Sequence, residues 1–545
     1  MFKAILIFIF SIQILFSATI YVDVSYMYGD NDGSEAHPFN QIQEGVDAAA
    51  NGDLVLVLPG FYQQHFSFDG KAITVGSKFV TTGDEDYIDD TWIDANFNEF
   101  WSIVEFKDGE DTDSQLIGLT IRNAKVFGGI MIDHASPTLE NLIIEFNNAY
   151  YYGGGINMYH SNAVINDVIV RNNCAGGWGE PEIDGKGGGI NIASSDPILT
   201  NVVFESNYAY GWGGGINIDS YSNPTFVNVT VNDNYAATKT ADDFSGCGGG
   251  ICMEWADIPL TGVDIYDNTA SRNGGGIYLK NSEATIHDIS IYNNSVTHEG
   301  AAIYSWYSYQ PVIENCLIYD NSCTMGASGA ITFEESNGTL NHITMYDNNI
   351  ENGQYSSHGG INLIGDSDLV IENSIIWNPN SMYEIIFDYS SSECSATINY
   401  SDVCDGIDRI SNYGGGTLNW QSGNILNDPL FCDSENNDFS LAINSPCLGT
   451  GDNGTNIGNF GTACGPIHYG NVWHVKTDGS DDTGVGLEEY PFQTIQKAID
   501  EASENDTIYV YDGIFAESID LGAKNIVIQS VNGKENTFLD GQNFT

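Results

Sequence analysis

The sequence predicts an all-β chain, a right-handed parallel β-helix (solenoid) of coils about 26 residues long, with a short N-terminal capping helix and the start of a second β-helix module. Three observations predict it. A Gly-Gly-(Gly)-Ile signal recurs, with isoleucines at Ile130, Ile156, Ile190, Ile216, Ile251, Ile277, Ile303, Ile331 and Ile361, most often 26 residues apart. Asn147, Asn173, Asn207, Asn234, Asn268, Asn294, Asn321 and Asn348 keep step with it, each behind an apolar stretch such as VDIYDN or ISIYNN. Inside the units apolar residues alternate, as at Val263 and Ile265, which is the period of a strand and not of an amphipathic helix. A unit of this length suits three short strands per coil.

The elements follow in chain order. Lys3, a mostly apolar run from Ala4 to Ile12 and the small pair Ser17-Ala18 read as a signal peptide over residues 1–18, cleaved near Ala18. No later segment reaches the roughly 18 apolar residues a membrane helix needs. The mature chain is therefore expected to be secreted or held at the outer cell surface, and monomeric. Residues 19–466 are assigned to the β-helix, from its capping helix to a closing segment.

Within the repeats the glycines permit positive φ and close approach between coils, a mechanical role. The recurrent Asn is expected to take a left-handed turn at a strand end and to pass hydrogen bonds up the stack as an inner ladder. The two long intervals place extra residues at one corner, in segments 174–186 and 235–247, bringing together Trp178, Glu180, Glu182, Asp184, Asp242 and Asp243. Insertions of this kind mark a binding face, and the five acids are candidate Ca2+ ligands. No cofactor is required by the sequence; Ca2+ is the candidate.

Aligning Pro491-Phe492 with Pro38-Phe39 gives a constant offset of 453 through Ile495/Ile42, Asp506/Asp53, Gly513/Gly60, Lys524/Lys71 and Ser530/Ser77. Residues 467–545 therefore read as the N-terminal part of a second module, and the expectation is that the natural chain continues beyond Thr545.

The GGGI signal and the FESN of residues 204–207 resemble the repeats of polymorphic outer-membrane proteins and of the wider pectin-lyase-like β-helix proteins. The segment from Ile20 to Ser77 resembles the opening coil of secreted bacterial β-helix proteins, and DPLF (428–431) and SPCLG (445–449) resemble their closing segment, with Leu448 where Asp is usual. The resemblance implies the fold, and hosts both polysaccharide-degrading enzymes and non-catalytic surface proteins.

Composition narrows the partners. With 16 Lys plus Arg against 74 Asp plus Glu the formal charge is −58, which repels nucleic acid and anionic membranes; a solvated acidic surface accounts for most of it. In an oxidising compartment the ten cysteines suit bridges better than metal ligands. Cys316 and Cys323, Cys394 and Cys404, and the trio Cys432, Cys447 and Cys464 are near enough in sequence to pair locally.

Two candidate sites emerge. Tyr266, Tyr292, Tyr319, Tyr346 and Trp377 occupy one position of successive coils and by alternation should point outward, forming with Trp178 an aromatic platform for neutral sugars. Where the glycine signal is broken, His298, Glu299, Glu334, Glu335 and His358 are candidate catalytic groups of a glycoside hydrolase, which needs paired carboxylates. A Ca2+-assisted lyase would instead need a basic Arg or Lys as proton abstractor; the only arginines are Arg122, Arg171, Arg272 and Arg409, and the sequence shows no basic groove. On sequence alone the favoured reading is a non-enzymatic, adhesin-like protein that presents loops and aromatics to a polysaccharide or cell-surface glycan; the rival is a polysaccharide-degrading enzyme, hydrolase or lyase.

Overall fold

The computed structural model describes residues 18–95, 102–177, 184–238, 245–325, 330–350, 358–388 and 393–541. They fall into two compact units. The larger holds the chain up to Asn399 with Val403–Ser422, the smaller holds Tyr400–Asp402 and the chain from Gly423.

The larger unit is a right-handed parallel β-helix. Each coil pairs in register with the next, Ile130 with Ile156, Ile156 with Ile190, Ile216 with Ile251, Ile251 with Ile277, and onward to Ile331 with Ile361. These isoleucines point inward and are essentially fully buried, so each coil adds an aliphatic rung. Burial of one such side chain stabilises by roughly 2 kcal/mol.

From Asn148 to Ile350 each coil carries four strands, not three. After the ladder Asn the chain adds a two-residue strand, as at Asn148–Ala149, Cys174–Ala175 and Thr269–Ala270, whose small inward alanine fits the narrow corner before the glycine turn. Two helical turns, Phe79–Thr82 and Asp86–Asp89, interrupt the early coils in a polar segment without strand alternation.

The Asn column forms the inner ladder. The Oδ1 of Asn294 accepts from both the backbone N and the Nδ2 of Asn268, each at 3.0 Å, and the pattern repeats from Asn147 to Asn378. The ladder residue itself is not the left-handed one. That conformation falls on the residue before it, Asp267 (φ 56°), Asn293 (φ 53°) and Asp320 (φ 52°), because the kink there is what turns the Asn side chain into the interior. The last rung, Asn378, donates its backbone N and Nδ2 to the fully buried Glu384 carboxyl at 2.9 and 2.7 Å, with the Arg409 guanidinium 3.8 Å away. Burial pushes Glu384 up to about 8, opposed by the Asn378 donors and Arg409.

At the N-terminal end the helix Ile42–Ala48 lays Ile42 and Val46 on the first coil. Lys71 Nζ ties its C-terminus by donating to the carbonyls of Val46, Asp47 and Ala49.

The smaller unit repeats this construction at the same offset. Helix Ile495–Glu501 packs Ile495, Ala498 and Ile499 against Val475, Ile508, Val510 and Phe515, and Lys524 Nζ donates to the carbonyls of Ile499 and Asp500. The same unit contains the antiparallel pair Phe431–Asp433 and Asp438–Ala442, and the Cys432–Cys464 disulfide. Cys447 Sγ donates to Asp402 Oδ2 at 3.1 Å, and burial pushes Asp402 up to about 7.

The local pairings expected for Cys316 with Cys323 and Cys394 with Cys404 do not form; all four are thiols. Cys316 packs in the main core, whereas Cys323 sits in a separate cluster with Ala270, Val296 and Ala301. Their side chains occupy different compartments of the coil. Cys394 likewise belongs to the main core and Cys404 does not. Among the described residues no helix is long and apolar enough to cross a membrane.

Candidate functional site

The outer surface of the glycine-bearing sheet is a groove, and the glycine turn makes it. At Gly187 (φ 69°) a Cβ would lie 2.2 Å from the Ile190 carbonyl oxygen, so the chain folds back on its own strand only because no side chain is there. The residue before the turn becomes one wall, the residue after each inward Ile becomes the floor, and the fourth strand residue becomes the other wall.

From the N-terminal end, the floor begins as a second amide ladder, Asn191 donating to Asn157 Oδ1 at 3.0 Å and Asn217 to Asn191 Oδ1 at 2.9 Å. It borders a cavity of about 400 Å³ that Tyr152, Tyr159, Asp133 and Asp219 also line. A balanced charge cluster follows. Lys186 Nζ bridges Asp219 (3.2 Å) and Glu254 (3.1 Å), and Lys280 Nζ reaches Glu254 at 2.6 Å. Burial works against its charge, yet Asp219 and Glu254 hold the Lys186 ammonium above the ordinary lysine range. Trp212 and Trp306 flank Lys280, each ring centroid 5.5 Å from Nζ, and pack on the floor residues Cys252, Tyr278 and Tyr304.

The coils whose glycine signal is broken form the acidic end. Glu299, from the wall, reaches Asn362, whose Nδ2 donates to Oε2 at 3.3 Å. Tyr304 donates its hydroxyl to Glu334. Burial, then the Glu334 and Asp388 charges, push Glu299 up to about 8. Glu334 is also raised, by burial and the neighbouring Glu335, but Arg272 pulls it back. Two carboxyls with unequal proton affinity thus share one stretch of groove. Between them Thr332 Oγ1 and Asn362 Oδ1 are buried with no hydrogen-bond partner, on side chains that are 0% exposed. Buried polar atoms of this sort need a water or ligand to satisfy them.

Of the predicted catalytic residues, Glu299 and Glu334 come together in this groove. His298 is exposed beside them, its proton affinity lowered by partial burial and by Arg272. Glu335 instead occupies the next corner, where its Oε2 accepts from Asp366 N at 3.4 Å. The side chain of His358 lies outside the described residues, as do Trp178, Glu180, Glu182, Asp242 and Asp243; Asp184 is described and exposed. Among the described residues no group of three or more His, Cys, Asp or Glu side chains is placed to hold a metal ion.

The aromatic column lies on a different sheet, in register from Tyr266 through Tyr292, Tyr319 and Tyr346 to Trp377. It faces outward as expected but is far from exposed. Successive rings of Tyr266, Tyr292 and Tyr319 stack at 4.9 Å with interplanar angles of 9° and 11°, and Tyr319 is only 7% exposed, so the flat faces cover each other and edges meet solvent.

Residues 238–356 match the family model described as "Right handed beta helix region". Three solved structures are similar to this β-helix. The pectate lyase Pel9A is 12% identical with a TM-score of 0.40, over 83% of this chain and 98% of that one. The PL6 family alginate lyase AlyGC is 11% identical, TM-score 0.37, over 91% and 66% respectively. The A-module of the mannuronan C-5 epimerase AlgE4 of Azotobacter vinelandii is 12% identical, TM-score 0.31, over 75% and 100%. No curated protein sequence matches the chain.

Proposed function

We propose that the chain is a secreted, polysaccharide-active β-helix that binds a neutral glycan along the glycine-sheet groove and hydrolyses it at the Glu299–Glu334 pair. One observation carries the reading: two carboxyls of unequal proton affinity stand together over two buried polar atoms that lack a partner. Glu299, still protonated near neutral pH, would give its proton to the leaving glycosidic oxygen. Glu334, held more acidic by Arg272, would take the proton of an attacking water or stabilise the positive charge that develops on the sugar. Trp306, in register with Glu334, supplies apolar surface beside the pair, and the net charge of −58 disfavours uronic substrates.

The test is release of new reducing ends from glucan, xylan and mannan. Glu299→Gln is expected to lower the rate at least a hundredfold, with loss of wild-type activity above pH 8 as Glu299 deprotonates. Wild-type protein that retains these polysaccharides without cleaving them would favour the binding-only reading, and release equal in wild type and Glu299→Gln would remove the acid pair from the chemistry.

A further inference from the structure

A second contact surface lies at the corner that follows the glycine-bearing strand. The residue there adopts a left-handed backbone in successive coils, a conformation that Asn or Gly takes at little cost and bulky residues take under strain. Asn281 is the cheap solution at this corner. Trp255 (φ 56°) and Tyr307 (φ 51°) are not, nor is Tyr221 (φ 62°) in the coil before Trp255. Packing does not compensate them, because Tyr221 is 90% exposed, Trp255 58% and Tyr307 55%. Strain without burial is the pattern of a functional side chain.

The chain also opens a cavity at this place. Between Ile218 and Ser222 it has three residues, Asp219, Ser220 and Tyr221, whereas Ile192 to Ser195 and Met253 to Ala256 have two. The strand pairing of this coil accordingly stops at Ile218 with Met253, one residue short of the next coil, where Glu254 still pairs with Lys280. The added residue leaves a cavity of about 580 Å³ lined by Tyr221 and Trp255, by the polar Ser220, Asn223 and Asp257, and by Ile258 at its base. Asp257 is fixed in place by accepting Glu283 N on Oδ1 at 2.6 Å.

We propose that this corner cavity seats a ring of a neutral polysaccharide, with Tyr221 and Trp255 against its apolar face and Ser220, Asn223 and Asp257 hydrogen-bonding its hydroxyls. Two open aromatic faces around a hydroxyl, an amide and a carboxylate match a sugar ring, which has C–H groups on one face and hydroxyls at its rim. The Asp257 carboxylate makes the seat negative, which disfavours uronic and sulfated sugars. The seat shares no lining residue with the Glu299–Glu334 pair, so it stands or falls independently of the proposed hydrolysis.

The experiment is a calorimetric and tryptophan-fluorescence titration of the full chain with cellohexaose, xylohexaose and mannohexaose, in wild type, Glu299→Gln, Trp255→Asn and Tyr221→Asn. At least one hexasaccharide is expected to bind wild type and Glu299→Gln alike, and to bind each Asn variant at least tenfold more weakly. Since Asn relieves the left-handed strain, both Asn variants are expected to melt at or above the wild-type temperature. Failure of all three sugars to bind overturns the proposal, as does affinity unchanged in both Asn variants. A sugar lost in Glu299→Gln but retained in Trp255→Asn places the ligand in the groove, which overturns the corner seat and leaves the proposed function standing. Lower melting temperatures in both Asn variants would show that the aromatics serve packing, and would overturn it too.

Discussion

One outward row runs the length of the ladder-bearing sheet, and its two halves are built differently. In the early coils it carries Asp94, Arg122, Glu145, Arg171 and Glu205 in register, and after Asn232 it carries Tyr266, Tyr292, Tyr319, Tyr346 and Trp377. In the first half the buried Glu145 carboxylate takes Arg122 Nη1 at 3.3 Å and Arg171 Nε at 2.9 Å, and the outer acids Asp94 and Glu205 each stand 3.8 Å from the nearer arginine. In-register stacking sets each side chain about 4.8 Å from its equivalent in the next coil. Like charges at that distance repel, so an ionic row must alternate in sign with every coil. Rings at the same spacing attract, so an aromatic row can repeat one residue type. The same geometry therefore writes a repetitive sequence in one half and an alternating one in the other.

Four experiments bear on this contrast, each read by hydrogen exchange on the strands concerned because a solenoid opens coil by coil. Arg171→Met leaves the buried Glu145 with one partner and Glu205 with none in the row, and is expected to destabilise the coils Ile143–Arg171 by about 3 kcal/mol; a loss below ~1 kcal/mol would mean that the ion ladder is decoration. Tyr292→Ala, which opens the middle of the ring stack, is expected to cost about 2 kcal/mol in the coils carrying Tyr266 and Tyr319, with no dependence on salt. Raising ionic strength to 1 M should loosen the ionic half by under ~1 kcal/mol and leave the aromatic half unchanged; equal loosening of both halves would erase the distinction. Tyr292→Phe, which keeps the ring and removes the hydroxyl, is expected to change stability by less than ~0.5 kcal/mol.

Alkaline pH separates the halves in the opposite sense. Burial, with neighbouring tyrosines and aspartates, pushes Tyr292 and Tyr319 from 10.0 up to about 12. The fold holds the neutral phenol, so its contribution is complete below pH 10 and is lost as pH rises from 10 to 12, where the arginine row keeps its charge. Strands Ser290–Tyr292 and Leu317–Tyr319 should lose protection first; an earlier opening of Ile143–Glu145 would contradict this order.

The same physics explains what could be read in the sequence. The Ile column and the Asn ladder repeat residue identity, so both were legible, as was the aromatic half of the row. The ionic half was not, because Asp94, Arg122, Glu145, Arg171 and Glu205 share a position without sharing a type. Glu299 and Glu334 were visible as breaks in the glycine signal. Their setting of Tyr304, Thr332 and Asn362 was hidden, since alternation places the residue after each inward Ile outside, and an outside residue reads as solvated. What buries it is a side chain two coils earlier, Trp212 over Tyr278 and Glu299 over Asn362, leaning across from the turn. The Asn157, Asn191 and Asn217 series was the signal that this column is enclosed. The corner aromatics escaped notice for another reason: nothing in local composition marks Tyr221 or Trp255 as left-handed, and the one-residue insertion beside them appears only when coils are laid over one another.

The inner amide ladder has a direction, and Glu384 gives it a stop. Every ladder Asn from 173 to 348 hands two N–H groups forward and receives two from behind, so any such unit is interchangeable with its neighbours and an extra copy, for instance of residues 269–294, could be spliced between two rungs without breaking the relay. Past Asn378 this is no longer true, because its two N–H groups end on the two carboxyl oxygens of Glu384 and not on another Asn. Tandem duplication that preserves the relay is thus open upstream of that residue, and one carboxyl group marks where the relay ends, the strands Ile410–Asn412 and Thr417–Trp420 stacking beyond it without one.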